Sequence, residues 1–84
     1  MESKYIPTKE DIEELGFICI KEFSTGEREF QKHFQSSGDF YGLSVDGNQL
    51  LLELEVMTSE NTATPHIIFE GNILSKKHLI SILT

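Results

Sequence analysis

The chain has one cysteine, two prolines and few basic residues, and it lacks any long apolar run. The single cysteine, Cys19, excludes an intramolecular disulfide framework, which fits a reducing, cytoplasmic compartment. Residues 1–5 contain no apolar segment of the kind that a secretory signal needs, and no stretch approaches the length of a membrane span. The sequence therefore predicts a soluble protein that is not exported.

Positive charge is scarce, because seven Lys and Arg stand against fourteen Asp and Glu, for a formal net charge of −7. Binding to a phosphate backbone needs clustered cations, and Lys76 and Lys77 are the only adjacent pair. This balance disfavours direct nucleic-acid binding. It permits a basic protein partner, since complementary potentials speed encounter, although net charge also simply keeps small proteins soluble.

Signatures of catalysis and of cofactor binding are also missing. The six glycines are dispersed singly, so there is no phosphate-binding loop, and the three histidines lack the short spacing of a zinc motif. Cys19 lies among apolar residues, where a thiol is usually a small buried hydrophobe. Glu53 and Glu55 share a strand face, yet exposed acids on a sheet are far commoner than an acid and base pair. The chain is expected not to be an enzyme, and to need no metal or cofactor.

What the chain does contain is a set of signals for one small α+β domain spanning residues 1–84. The clearest is a β-hairpin at Asp46 and Gly47, because Asp-Gly favours the positive φ of a type I′ turn, although Asn48 leaves a three-residue loop open. The strand after the turn alternates cleanly, with Glu53 and Glu55 facing solvent. Its core-facing positions are Leu50, Leu52, Leu54 and Val56.

Capping residues predict a helix near each end of the chain. Thr8 and Asp11 form a variant of the capping box after Pro7, and Gly16 can close the short helix that follows. Ser75 can cap a terminal helix. That helix presents Leu79, Ile80 and Leu83.

Between the helices, the pattern predicts an antiparallel sheet of four or five strands. The first strand is interpreted as covered on both sides near its start, and the second as having one wet face. Residues 58–65 show no periodicity and are expected to form the longest loop. The predicted strands are residues 17–23, 28–34, 40–45, 49–57 and 66–70, and the predicted core is Ile12, Leu15, Phe30, Leu43, Leu50, Leu52, Leu54 and Leu83.

Acidic residues form two clusters that are candidates for partner binding. The first is Glu10, Asp11, Glu13 and Glu14 on the first helix, and the second is Glu53 and Glu55 on the fourth strand. A helix N-terminus favours anions and a strand face is often solvated, so both clusters also have a purely structural explanation. Together they are expected to make one acidic surface.

The arrangement of these elements resembles small uncharacterised proteins carried by bacterial phages and mobile elements. The resemblance rests on Leu15-Gly16-Phe17 after the short capped helix, on the antiparallel strands, and on Phe69 and Ile73 before the last helix. It spans most of the chain, but it brings no diagnostic motif and no catalytic residue. It implies an accessory or counter-defence protein, a class in which some members are acidic and block nucleic-acid-binding host proteins.

Two functions are expected from these observations. The first is a non-enzymatic inhibitor whose acidic face occupies a basic surface of a host protein. The alternative is a structural or assembly protein that forms a homodimer through a strand edge or an apolar face, since Ile18 and Ile20 lie opposite Phe17 and Cys19 in the first strand. Binding through exposed charge weakens at high ionic strength, whereas an apolar interface holds.

Overall fold

The computed structural model describes residues 5–34, 38–57 and 63–84, and in it the chain forms a five-stranded antiparallel sheet with two short helices. This confirms the α+β prediction. The strands lie side by side in chain order, which makes β1 and β5 the edge strands. The elements are α1 (Lys9–Glu13), β1 (Ile18–Glu22), β2 (Arg28–His33), β3 (Phe40–Asp46), β4 (Gln49–Met57), β5 (Ala63–Asn72) and α2 (Lys76–Leu83).

Both helices pack on the same face of the sheet and cover the core. Ile12 of α1 and Leu79 and Leu83 of α2 are buried against the strand residues that alternate toward that face. The opposite face carries no helix among the residues that the structure describes. The buried core is Ile12, Phe17, Phe30, Leu43, Val45, Leu50, Leu52, Ile73, Leu79 and Leu83.

The predicted caps are confirmed at both helices. The Thr8 hydroxyl accepts a hydrogen bond from the Asp11 backbone amide at 3.1 Å, and the Asp11 carboxylate accepts one from the Thr8 amide at 3.5 Å. The Ser75 hydroxyl accepts from the His78 amide at 3.0 Å. These bonds satisfy amides that have no partner within their own helix. Neither helix, within the described residues, has the length and apolar character needed to cross a bilayer.

The hairpin between β3 and β4 is present, but its turn lies one residue later than predicted. Asp46 pairs with Gln49, so the loop consists of Gly47 and Asn48, and Gly47 has a φ of 60°. The expectation that Asp46 and Gly47 form the centre of the turn is therefore wrong. The reason is that Asp46 still pairs across the hairpin, which lets β3 run one residue past Val45.

The prediction that the first strand is covered on both sides is wrong. Ile18 is 67% exposed and Ile20 is 50% exposed, because none of the described elements covers the second face of the sheet there. The pairing with β2 also shifts between Cys19 and Lys21, which places an extra residue in this edge strand. Such a bulge changes which side chains share a face, and an alternating pattern cannot reveal it.

The last strand is longer than predicted, since it covers Ala63–Asn72 instead of residues 66–70. Of the predicted loop at residues 58–65, positions 58–62 lie outside the described residues and positions 63–65 belong to β5. The loop prediction is wrong for those three positions. Because β4 extends to Met57, it supplies pairing partners as far as Ala63, and Pro65 is tolerated since β5 is an edge strand.

Most of the predicted core is confirmed, with two exceptions. Leu15 and Leu54 are only half-buried, and of these two Leu15 packs against the margin of the core. Ile80 of α2 is 40% exposed. In the second strand, Phe34 follows the end of β2 and is 39% exposed. The sequence-based list omitted four buried residues that depend on how the helices and connections settle on the sheet, namely Phe17, Val45, Ile73 and Leu79.

Candidate functional site

The described elements leave the face of the sheet opposite the helices without a covering layer, and we call it the uncovered face. Strand alternation dictates its composition, because residues in register across antiparallel strands point to the same side. One row across the sheet runs Ile18, Gln31, Gly42, Glu53 and Ile67. A neighbouring row runs Glu29, Ser44, Leu51 and Glu70. The first row is polar at its centre and apolar at both edges, whereas the second row places Leu51 on an inner strand and Glu70 on an edge strand.

Small residues on the central strand create a trough along the middle of the uncovered face. Gly42 and Ser44 of β3 form the floor, and longer side chains of β2 and β4 form the walls. One cavity, of about 180 Å³, lies over Gly42, and a second, of about 580 Å³, lies beyond Ser44, which lines both. The two cavities together define the trough.

Acidic side chains line the whole trough. Three line the cavity over Gly42 and three line the cavity beyond Ser44, whereas no lysine or arginine of the described ranges lines either cavity. Within the described ranges none of these carboxylates takes part in an ion pair. We call them the trough carboxylates: Glu27, Glu29, Asp46, Glu53, Glu55 and Glu70.

The nearest basic residue in register is Lys21, which pairs with Glu29 across β1 and β2. Its ammonium lies 4.6 Å from the centre of the Phe23 ring, a cation–π contact. Lys21 does not line either cavity. Among the described residues, carboxylates are therefore the only charged groups that line the trough, and like charges held together in this way attract cations.

Two of the six acids proposed from the sequence, Glu53 and Glu55, lie in the trough. The other four belong to α1 or directly follow it, on the opposite side of the sheet, so the structure does not bring the two clusters together into one surface. Four trough carboxylates were missed by the sequence-based proposal: Glu27, Glu29, Asp46 and Glu70. The sequence could have indicated the trough carboxylates only if the solvent-facing residues of several strands had been placed in register with one another.

Within the helix cluster, Asp11 serves the fold. Its carboxylate accepts a hydrogen bond from the Tyr5 hydroxyl at 2.6 Å and lies 3.4 Å from the Lys76 ammonium of α2. Lys76 also lies 3.9 Å from Glu14. These contacts tie the N-terminal segment and α2 to α1. Glu10 and Glu13 are exposed and are the two acids of this cluster without such contacts.

The contacts of Asp11 shift the pKa values of two groups, the Asp11 carboxyl and the Tyr5 phenol. The hydrogen bond from Tyr5 is the largest cause that lowers the pKa of Asp11, and Thr8 and Lys76 lower it further against the opposing effect of burial. Burial, together with the Asp11 carboxylate, raises the pKa of the Tyr5 phenol well above its ordinary value. The pair is therefore held as a neutral phenol that donates to an ionised carboxylate.

The cysteine and the histidines form no catalytic or metal-binding constellation in residues 5–34, 38–57 and 63–84, where no group of three or more His, Cys, Asp or Glu is arranged to hold a metal ion. Cys19 is half-buried at the edge of the core. His33 is exposed, stacks on Phe40 and hydrogen-bonds Gln31 at 2.9 Å. His78 is half-buried, and its Nδ1 accepts from the Leu74 amide at 3.1 Å.

A third cavity, of about 360 Å³, lies on the helical side of the sheet between Phe17, Tyr41 and Leu83. Its one cation, Lys32, donates a hydrogen bond to the Leu15 carbonyl at 3.0 Å and lies 5.7 Å from the centre of the Phe17 ring. Lys32 thereby satisfies a carbonyl just beyond α1. Its main contacts are thus structural, and the trough remains the better candidate site.

Comparison of the chain with protein-family models, with curated proteins and with solved structures found no match. The resemblance to phage and mobile-element proteins accordingly stays a prediction. Function has to be argued from the geometry of the uncovered face.

Proposed function

We propose that this protein is a non-enzymatic binding protein whose uncovered sheet face occupies a basic surface of another protein. The observation that carries the proposal is the trough, which gathers acidic side chains from four strands, β2 to β5, and from the turn before β2. Among the described residues no lysine or arginine lines it. A negatively charged face of this kind is electrostatically complementary to a positively charged surface.

Physical chemistry favours a role in association over a role in folding for these charges. Exposed ion pairs contribute only about 0–1 kcal/mol to stability, whereas the summed field of a charged face can raise association rates by roughly 10–10³-fold. Glu29, Glu53 and Glu55 are half-buried and make no ion pair within the part of the chain that the structure describes. A basic partner supplies the countercharge that the fold itself does not.

The proposed partner is a host protein that ordinarily binds DNA or RNA. Such proteins carry clustered Lys and Arg on the surface that grips the phosphate backbone. An acidic protein that covers this surface excludes nucleic acid by competition, and would act as an inhibitor of the phage or mobile-element accessory class.

The experiment compares two double variants that lose the same number of charges on opposite sides of the sheet. Glu53→Gln with Glu55→Gln removes two trough carboxylates, and Glu10→Gln with Glu13→Gln removes the two exposed acids of α1. Each variant and the parent protein serve as bait in an extract of the native host. Retained proteins are identified and quantified at low and at high ionic strength.

We expect at least one host protein to be retained by the parent and by the α1 variant but lost with the trough variant. Its retention is expected to weaken as salt rises, because the contacting charges are screened. Equal retention by both variants would contradict the proposal, since it would show that net charge alone, or another surface, carries the binding.

Self-association is the second candidate, and the exposure of Ile18 and Ile20 on edge strand β1 favours it. Opposing features are the bulge in β1 and the negative charge of the trough, which disfavour pairing of two copies by the edge and by the uncovered face respectively. Sedimentation equilibrium decides the matter. If the protein is a homodimer, the measured mass at high micromolar concentration is expected to be twice the 9.6 kDa chain mass. A measured mass that stays at that of the monomer up to high micromolar concentration would exclude the homodimer.

A further inference from the structure

Gly42 lies at a position in the sheet where a glycine is not expected to be favourable. It lies in the middle of the central strand β3 and pairs with Gln31 on one side and Glu53 on the other. Glycine in a strand interior weakens the sheet, because it has no side chain to pack and loses more conformational freedom than other residues. Its presence there calls for a reason outside the backbone ladder.

Conformation does not require this glycine, and within the described residues only Glu55 limits the space above it. Unlike Gly47 in the hairpin loop, Gly42 does not have a positive φ. A Cβ atom built at position 42 would approach only one atom, Oε2 of Glu55, at 3.1 Å. That oxygen ends a flexible side chain, which can move aside. The missing side chain therefore matters for what approaches the uncovered face from outside.

We propose that the trough over Gly42 receives an arginine side chain of the basic partner, and that Gly42 provides the room for it. This inference rests on the proposed function and specifies its contact point. The cavity over Gly42 is walled by Glu29, Glu53 and Glu55, so a cation placed there meets three carboxylates. A strand glycine on an exposed face commonly marks a site where another molecule approaches the backbone closely.

Arginine suits this site because of its shape and its donors. The planar guanidinium carries five N–H donors and stays charged at every physiological pH, so it can serve carboxylates on β2 and β4 at once. Ile20 and the peptide groups of β3 supply a contact for the aliphatic stem. A lysine ammonium is a compact point charge with three donors and spans such a site less well.

The test uses fluorescently labelled nona-arginine as the probe and measures its dissociation constant by anisotropy at low ionic strength. Gly42→Ala and Gly42→Val fill the trough by increasing amounts without changing the net charge. Ser81→Val, on the exposed side of α2, adds a similar side chain away from the uncovered face. Glu55→Gln alone measures how much of any effect comes from disturbing Glu55. Melting temperatures of all the variants are recorded alongside.

We expect affinity to fall stepwise from the parent to Gly42→Ala to Gly42→Val, by about tenfold at the last step and by more than Glu55→Gln causes. Ser81→Val is expected to bind like the parent. The melting temperatures of the Gly42 variants are expected to stay level or to rise, because a β-branched residue suits a strand better than glycine.

Undiminished probe binding by Gly42→Val would overturn the inference, and so would a marked fall in the melting temperature of Gly42→Ala, which would give the glycine a structural role. Failure of this inference can be distinguished from failure of the proposed function. If removal of the trough carboxylates abolishes partner binding while Gly42→Val does not, the acidic face still binds the partner but no side chain enters over Gly42.

Discussion

Leu52 belongs to the core between the sheet and the helices. It is 2% exposed and pairs with the buried Leu43 on the covered face. Leu52→Ala is expected to lower the free energy of unfolding by about 2–4 kcal/mol, because the lost methyl groups leave a cavity that the surrounding side chains fill only in part. Urea denaturation followed by circular dichroism measures the change.

Leu74→Ala is the matched control for this prediction. Leu74 undergoes the same chemical change but is 77% exposed, so its substitution is expected to alter stability by no more than about 0.5 kcal/mol. An unchanged denaturation midpoint for Leu52→Ala would mean that the side chain is not in the core. The register of β4 would then be shifted by one residue, with Glu53 turned inward.

Asp11 gives the fold a defined dependence on pH. Its pKa in the folded state is lowered, chiefly by the hydrogen bond from Tyr5, so the folded protein binds a proton there less readily than the unfolded chain does. The resulting stabilisation is fully present above the ordinary aspartate pKa of about 3.9 and is lost as pH falls through the lower value. Thermal melts between neutral pH and pH 2 are expected to show this loss.

Asp11→Asn is expected to reduce stability at neutral pH and to flatten the acid part of the profile. Glu13→Gln removes an exposed carboxyl from the same helix and is expected to leave the profile unchanged. A parent profile that Asp11→Asn merely lowers by a constant amount, with the same acid slope, would show that Asp11 does not titrate as described.

Individual residues were predictable from the sequence where one local rule determined them. The Thr8 and Asp11 capping box and the core positions Leu50 and Leu52 are of this kind. Ile73 was missed because it lies in the connection between β5 and α2, where no period of two or 3.6 marks the buried side. Phe17 was placed in the first strand but left out of the predicted core. It directly precedes β1, and its burial follows from the path of the chain between α1 and the sheet.

At the scale of elements, α1 depends on its cap because it has only five residues. A helix this short is marginal without packing and satisfied end groups. Thr8→Ala is expected to cost about 1 kcal/mol of unfolding free energy, since the Asp11 amide loses its acceptor. Chemical denaturation of Thr8→Ala beside Thr8→Ser tests this, as serine keeps the hydroxyl. Equal losses in the two variants would assign the effect of Thr8→Ala to the missing methyl group.

The two edge strands were the elements least accessible to sequence reasoning. The bounds of β4 matched the prediction, because an alternating run of leucines and acids marks both of its faces. In β1 the bulge breaks the alternation, and in β5 the pairing partner, not the local sequence, sets the length. Edge strands gain their order from one neighbour, so their own residues specify them weakly.

At the scale of the whole molecule, the candidate site was harder to predict from the sequence than the edge strands. Alternation placed Glu53 and Glu55 on a solvent face and predicted one wet face for the second strand, which in the structure carries Glu29 and Gln31. Only the register between strands shows that these side chains surround Gly42 and that α1 lies on the other side of the sheet. A charge cluster that is assembled across strands cannot be seen in a count of adjacent acids.

The claim that the uncovered face binds a basic partner is tested most directly by carboxyl-group footprinting. The protein is labelled with a carbodiimide and an amine, alone and in the complex retained from host extract, and each carboxyl is quantified by mass spectrometry. The account predicts that Glu29, Glu53 and Glu55 lose reactivity in the complex while Glu10 and Glu13 keep theirs. Protection of Glu10 and Glu13 with the trough carboxylates left reactive would contradict it.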